Sequence, residues 1–276
     1  MGVTSVTLSY DDRLYTGPKT GPGWKPGYVP EGSVAPVSAL AVDGGRRSPD
    51  TRERVTDPAR TAAELFAALL RKRGVTVAGR IGEAAGTGAE LARVESPPVY
   101  ALVERMLTMS DNDLAEALVR QVALKEGRPA SFAGGAQAVR TVLQRLGVAE
   151  GIEVYDGSGL STRNRITARG MARLLAFAAA PERSRLHGVI SGLAVAGFTG
   201  TLGHRFDGKA ARAGVGMVRG KTGTLDGVNT LAGVVRTNHG QLLAFAVMAD
   251  RTPPPAERSE AALDRIAAVI AQCCAP

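Results

Sequence analysis

Residues 217–249 read MVRGKTGTLDGVNTLAGVVRTNHGQLLAFAVMA. Three apolar runs, Met217 to Leu225, Val228 to Thr237 and Gln241 to Ala249, follow one another with little chain between them. Asn238-His239-Gly240 separates the last two and is a hairpin signal. An antiparallel sheet is therefore expected here, followed by an Ala-rich helix from about Glu257 to Ala271.

Upstream of the sheet the apolar spacing is helical. Thr167 caps a helix bearing Met171, Leu174, Leu175 and Ala178, stopped before Pro181. Gly134-Gly135 precede another with Val139, Val142, Leu143 and Leu146 on one face, closed by Gly147. From Pro97, Val99, Leu102, Val103, Met106 and Leu107 form a stripe. It breaks at Ser110-Asp111-Asn112, and a second helix runs from about Asp113 to Lys125. Asp57-Pro58 pairs a good N-cap with the residue favoured at the first helical position. Ala62, Leu65, Phe66, Leu69 and Leu70 then make one stripe, which predicts the face that this helix buries. A short strand is expected at Val75 to Val77, a surface loop over 82–90 and a buried strand over Val34 to Val42. Residues 16–36 carry five Pro and five Gly, too many for helix or central strand, and Trp24 and Tyr28 are the side chains able to pin this loop. Met1 to Tyr10 alternates as a strand does. Helices first, an antiparallel sheet later and a closing helix make an α+β layer architecture.

Composition narrows the function classes. The 276 residues are 44% hydrophobic and 22% charged, an ordinary globular balance with no apolar window long enough to cross a membrane. The net charge of +8 comes from six Lys and 28 Arg against 26 acidic residues. The Arg are spread along helical stretches as solvated faces would be, and aromatics are only 4%, so platforms for stacking bases are scarce and no nucleic-acid partner is expected. Cys273 and Cys274 are adjacent and make no metal-ligand spacing, and His187, His204 and His239 sit in unrelated contexts. No metal and no cofactor are expected. Residues 1–10 have neither the basic start nor the apolar run of a signal peptide.

Two tripeptides carry chemistry: Ser110-Asp111-Asn112, and Lys221-Thr222-Gly223 extended by Thr224-Leu225. Taken alone, the first is also what caps a helix and the second is also a surface Lys on an edge strand. A phosphate loop around Gly220-Lys221-Thr222 needs Gly where Val215 stands and a helix where Leu225 to Val235 reads as turn and strand. That reading is excluded.

Ser110-Asp111-Asn112 opening a helix, Asp156-Gly157-Ser158-Gly159-Leu160-Ser161 with Asn164, Gly200-Thr201-Leu202 and Lys221-Thr222-Gly223-Thr224-Leu225 come in that order. Together they resemble the D-alanyl-D-alanine carboxypeptidase/endopeptidases of the low-molecular-mass class C penicillin-binding type, in the serine β-lactamase/transpeptidase-like superfamily. Gly21-Pro22-Gly23-Trp24 and Ala35-Pro36-Val37-Ser38-Ala39-Leu40 resemble that family's linking region, so the likeness covers nearly the whole chain.

The resemblance implies a β-lactamase/transpeptidase-like α+β fold, an antiparallel sheet with flanking helices. It divides the chain into residues 1–55, a remnant of an inserted domain with the linking region, and 56–276, the C-terminal part of the transpeptidase-like domain. It implies a serine peptidase that forms an acyl-enzyme on peptidoglycan stem peptides ending in D-Ala-D-Ala, with β-lactams as inhibitors of the complete enzyme and a place in the cell envelope, outside the cytoplasm. Ser110 would relay a proton to the leaving amine, and Asn112 would hold the substrate amide beside Asp111. Lys221 and Thr222 would bind the substrate carboxylate, Gly223 would allow close approach, and a backbone N–H near Thr224 would complete the oxyanion hole.

One departure is plain. No Ser stands three residues before any of the six Lys, so Ser-x-x-Lys is absent. The family carries that motif near the N-terminus on a central helix. The chain is therefore expected to begin inside the insertion, to lack the central nucleophile helix and to be inactive alone. Its loss would bare apolar surface around Met106 and on Leu231 to Val235, with poor solubility as the result. Two other readings stand beside this one: a non-catalytic peptidoglycan- or partner-binding remnant, and a β-lactamase, against which the linking region and the Gly-Trp segment count.

Overall fold

A computed structural model describes residues 2–86 and 88–273. In chain order the described elements are β1 (Ser5–Tyr10), α1 (Pro58–Lys72), β2 (Thr76–Glu83), α2 (Val99–Met109), α3 (Asn112–Lys125), α4 (Phe132–Arg145), β3 (Ile152–Glu153), β4 (Arg165–Ile166), α5 (Ala168–Ala179), α6 (His187–Ser191), β5 (Ala194–Val195), β6 (Val218–Leu225), β7 (Val228–Arg236), β8 (Leu242–Asp250) and α7 (Ala256–Gln272). They fall into two units, one of Met1–Glu95, Asn112–Val139 and Tyr155–Arg163, the other of Ser96–Asp111, Arg140–Val154 and Asn164–Pro276.

In the first unit β1 and β2 pair in parallel. Asp57 caps α1 by accepting the Arg60 N–H at 3.2 Å. Only part of the expected apolar stripe of α1 is buried. Ala59, Ala62, Ala63 and Ala67 are buried, whereas Leu65, Phe66 and Leu69 are each about half exposed. The helix packs by its alanines, whose small side chains let backbone approach backbone.

The strand expected over 34–42 does not form. Val34 and Ala35 are buried all the same. Carboxylates replace a neighbouring strand as hydrogen-bond partners: Asp113 accepts the Ala35 N–H at 2.7 Å, and Asp12 accepts those of Ala39 and Leu40. Side chains can satisfy a buried backbone as well as a ladder does.

The Pro/Gly-rich loop is pinned as its aromatics predict. Trp24 meets Phe132 edge-on at 5.4 Å and donates its indole N–H to Asp156 at 2.8 Å, and Tyr28 is buried. The turn from Asp156 to Ser161 closes on two carboxylates. Asp156 accepts the N–H groups of Gly159 and Ser161, and Glu116 accepts those of Gly157 and Ser158.

The second unit holds a four-stranded antiparallel sheet in the order β5-β6-β7-β8. Its three long strands match the sequence expectation to within one residue at either end. Asp226-Gly227 joins β6 to β7, with Gly227 at a φ of 72°, and Asn238-His239-Gly240 joins β7 to β8. Leu202, Phe206, Val218, Leu231, Val235, Leu263 and Ala267 form one core with α7, and Leu175, Leu193 and Ala232 form another with α5.

Leu231 to Val235 is therefore covered, against the expectation of a bared strand. No residue of α2 is buried, and Val99, Tyr100 and Met109 are each about two-thirds exposed. The expected loop over 82–90 begins after β2 ends at Glu83, and its Thr87 lies outside the described residues, as does Cys274.

Candidate active site

Lys221 is the fourth residue of β6. Residues 218 and 220 on that strand are buried while Lys221 sits on the opposite face, since alternate side chains of a strand point apart. Its Nζ donates to Ser110 Oγ at 2.6 Å and to the Thr222 carbonyl at 2.8 Å. Burial pulls the Lys221 pKa down from 10.5 to about 8. Among the described residues no carboxylate pairs with it.

Ser110 reaches Lys221 because α2 ends there. The residue adopts the left-handed region, φ 55° and ψ 48°, and its N–H and that of Asp111 both return to the Met106 carbonyl. A left-handed serine is strained, and the bonds that hold it fix where its hydroxyl points.

Thr222 Oγ1 donates to Thr201 Oγ1 at 3.0 Å. Thr201 was not among the expected site residues, although it belongs to the Gly200-Thr201-Leu202 motif. Gly200 there has a φ of 53°, and a Cβ on it would overlap the Thr108 carbonyl. Only glycine lets that turn close on the end of α2.

β5 pairs only with Arg219 and Gly220. From Lys221 to Leu225 the corresponding edge of β6 has no strand beside it among the described residues. The register with β7, together with the Arg236 N–H bonding Met217 O, turns the N–H and C=O of Thr222 and Thr224 toward that open edge. An extended peptide can pair with backbone groups presented in this way. The Thr224 hydroxyl bonds Glu260 at 2.9 Å.

A Cβ on Gly223 would also overlap Thr230 Oγ1 of the opposite strand, which would have to turn to make room.

The remaining two motif residues face other partners. Asp111 lies 3.7 Å from the Arg105 guanidinium. In the first unit Asn112 donates its amide N–H to the Ser33 carbonyl at 2.9 Å. A cavity of about 310 Å³ lies elsewhere in the second unit, between the end of α5 and Val234, Leu242 and Ala244. Its lining is apolar and includes none of these residues.

Residues 47–270 match the D-Ala-D-Ala carboxypeptidase 3 (S13) family. The chain belongs to that family. It is 36% identical over 276 residues to carboxypeptidase DacB of Mycolicibacterium smegmatis, covering 99% of this chain and 59% of that one. It is 36% identical over 188 residues to D-alanyl-D-alanine carboxypeptidase DacB of Haemophilus influenzae, covering 67% of this chain and 39% of that one. The chain thus spans well under two thirds of these relatives.

The fold described above is shared with a solved penicillin binding protein. Penicillin binding protein 4 (dacB) of Haemophilus influenzae superimposes with a TM-score of 0.85 at 23% identity, covering 99% of this chain and 76% of that one. A second structure of that protein, complexed with a β-lactam, gives 0.69 at 28% identity, covering 80% and 53%. The β-lactamase/transpeptidase-like α+β class expected from the sequence is thereby established.

Proposed function

We propose that this chain supplies the Lys-Thr-Gly strand and the Ser-Asp-Asn corner of a serine-type D-Ala-D-Ala carboxypeptidase/endopeptidase acting on peptidoglycan stem peptides outside the cytoplasm. The observation that carries the reading is the 2.6 Å bond between Lys221 and Ser110, which joins two motifs 111 residues apart in sequence.

In this reading Lys221 and Thr222 bind the terminal carboxylate of the substrate. A buried amine with no carboxylate of its own supports that role, because an incoming anion stabilises the ammonium form. The open edge of β6 aligns the stem peptide, and the Thr224 N–H stabilises the tetrahedral oxyanion. Ser110 relays to the leaving amine the proton taken from the attacking serine. Asn112, with Asp111 beside it, holds the penultimate amide. Residues 1–55 are a remnant of an inserted domain with the linking region, and 56–276 the C-terminal part of the transpeptidase-like domain.

The acylated serine and its base belong to a Ser-x-x-Lys segment that these 276 residues do not contain. The 276 residues alone form no penicillin adduct, and β-lactams inhibit only the protein that has both parts.

The test uses the longest product that the gene encodes in frame. It is expected to carry Ser-x-x-Lys, to form a stable adduct with a labelled penicillin on that serine and to release D-Ala from a D-Ala-D-Ala peptide. Lys221→Ala in it should cost about 2–4 kcal/mol of transition-state stabilisation, roughly 30- to 1000-fold in kcat/KM. Lys125→Ala, on the last residue of α3, should change little. Near-full activity in Lys221→Ala would overturn the assigned role. A longest product without the motif that binds stem peptides and forms no adduct would replace the enzyme with a binding protein.

A further inference from the structure

We propose that Ser110 and Lys221 form a serine–lysine dyad in which Ser110 is itself an acyl acceptor, with uncharged carboxylic esters as its substrate class. This does not depend on the peptidase reading, in which Ser110 only passes a proton.

The geometry is that of an activated nucleophile. The Oγ–Nζ distance of 2.6 Å is within the range for direct proton transfer. Both partners are fixed from behind. Nζ is also bonded to the Thr222 carbonyl, and Ser110 is held left-handed at the end of α2 by the bonds to Met106 O. Serine with lysine as its base is an established variant of the nucleophile–base pair.

Few charges compete for the pair within its unit. Ala232 stands opposite Lys221 on β7. Thr201, on the turn beside Thr222, is uncharged. Asp111 lies 3.7 Å from Arg105, and Arg219, two residues before Lys221 on the same face of β6, donates to the Ser191 carbonyl at 3.4 Å. With a pKa near 8, Lys221 is neutral in about a tenth of molecules at neutral pH and in most of them above pH 9.

The chemistry balances without any further reagent. Neutral Nζ takes the Oγ proton as Oγ bonds to the ester carbonyl carbon, and the carbonyl π electrons move to its oxygen. When the carbonyl re-forms, the ester C–O bond breaks and the leaving oxygen takes the proton from Nζ. The product is acyl-Ser110 and free alcohol. Water then repeats the sequence, with Nζ as base and Ser110 Oγ as leaving group, and releases the acid.

The substrate class follows from the single amine. Lys221 cannot be the cation for a carboxylate and the base for Ser110 at once. Acyl donors bearing a carboxylate hold it protonated and suppress the reaction, so no penicillin adduct is expected on Ser110.

The probe is p-nitrophenyl acetate, applied to the 276-residue protein, with release of nitrophenol followed and acetyl-serine located by peptide mapping. Acetylation is expected on Ser110, with a rate that rises with pH about a midpoint near 8. Ser110→Ala should abolish that adduct, and Lys221→Met should slow its formation by roughly 100-fold. Lys221→Arg keeps the charge but cannot deprotonate, and should be as slow as Lys221→Met. It reports on the base even if the methionine variant fails to fold. Ser158→Ala should react at the unaltered rate. Folded protein with no acetyl on Ser110 would overturn the proposal, as would an unchanged rate in Lys221→Arg. Neither result bears on the peptidase reading, which is measured by penicillin adduct and D-Ala release in the longest gene product.

Discussion

Glu116 and Arg120 form an ion pair at 2.7 Å, one helical turn apart on α3, with side chains 1% and 2% exposed. The pair is the hub of the first unit. Glu116 Oε1 accepts the N–H groups of Gly157 and Ser158, while the Arg120 guanidinium lies 4.1 Å from the centre of the Phe132 ring. Burial raises the Glu116 pKa, and hydrogen bonds from Ser158 together with Arg120 oppose that rise.

Removing one partner of such a pair leaves a buried charge uncompensated. Glu116→Ala is expected to cost about 3–5 kcal/mol, which is a large part of a domain's stability. Replacing both partners, Glu116→Leu with Arg120→Met, should cost less than either single loss, because no charge is then buried. Urea denaturation of the three variants measures this. A double variant less stable than both singles would show that the pair holds the Gly157–Ser158 turn by more than charge balance.

Lys221 should leave a signature in the pH dependence of stability. Its pKa is 10.5 when unfolded and about 8 when folded. Between those values the unfolded state binds more protons, so stability rises with pH across this window, and the deficit is fully present below pH 8. Discounted for partial exposure, the rise attributable to Lys221 is about 1–3 kcal/mol. Lys221→Met should therefore be more stable than the parent near neutral pH and lose the advantage by about pH 10. Denaturation curves across that range would refute this if the two proteins kept a constant difference.

Arg205 anchors α7. It makes two bonds to Asp264, at 2.6 and 3.1 Å, and a third to the Glu260 carbonyl at 3.0 Å. Lysine cannot reproduce that fork, so Arg205→Lys should cost about 1–3 kcal/mol. Asp264→Ala should cost more, about 3–5 kcal/mol, because it also strips the acceptor from the Phe206 N–H. Thermal unfolding of the two variants ranks them, and the reverse order would show that the Arg205 stem carries the anchor instead.

The second unit was the more legible part of the sequence. Strands β6 to β8 are long, apolar and separated by turn residues, so local pattern and tertiary packing demand the same structure. The pinning of the 16–36 loop by Trp24 and the caps at Asp57 and Thr167 were also legible, because each rests on chemistry local to a side chain. The strand over 34–42 misled for the opposite reason. Its backbone is satisfied by Asp12 and Asp113, which stand far off in sequence and carry no strand signal. The stripe on α1 misled in part, because its alanines are buried while Leu65, Phe66 and Leu69 stay about half exposed. At the site, the motifs gave Ser110, Lys221 and Thr222. They did not give the bond from Thr222 to Thr201, which depends on how the Gly200 turn folds onto β6.

That bond makes Thr201 a positioning residue. Thr201→Val keeps the shape of the side chain and removes the acceptor 3.0 Å from Thr222 Oγ1. The loss of one neutral hydrogen bond in a half-buried setting should lower stability by only about 1 kcal/mol. In the longest in-frame product the effect on catalysis should be uneven. Thr222 is proposed to hold the substrate carboxylate, which is the same before and during bond making, so KM should rise roughly five- to tenfold with kcat little changed. Thr222→Val should do the same, and the two changes together should cost no more than either alone, because each breaks the same contact. A fall in kcat at constant KM would move Thr201 from substrate positioning to the chemical step. Fully additive effects would show that the two hydroxyls act apart, and that their bond is not what orients Thr222.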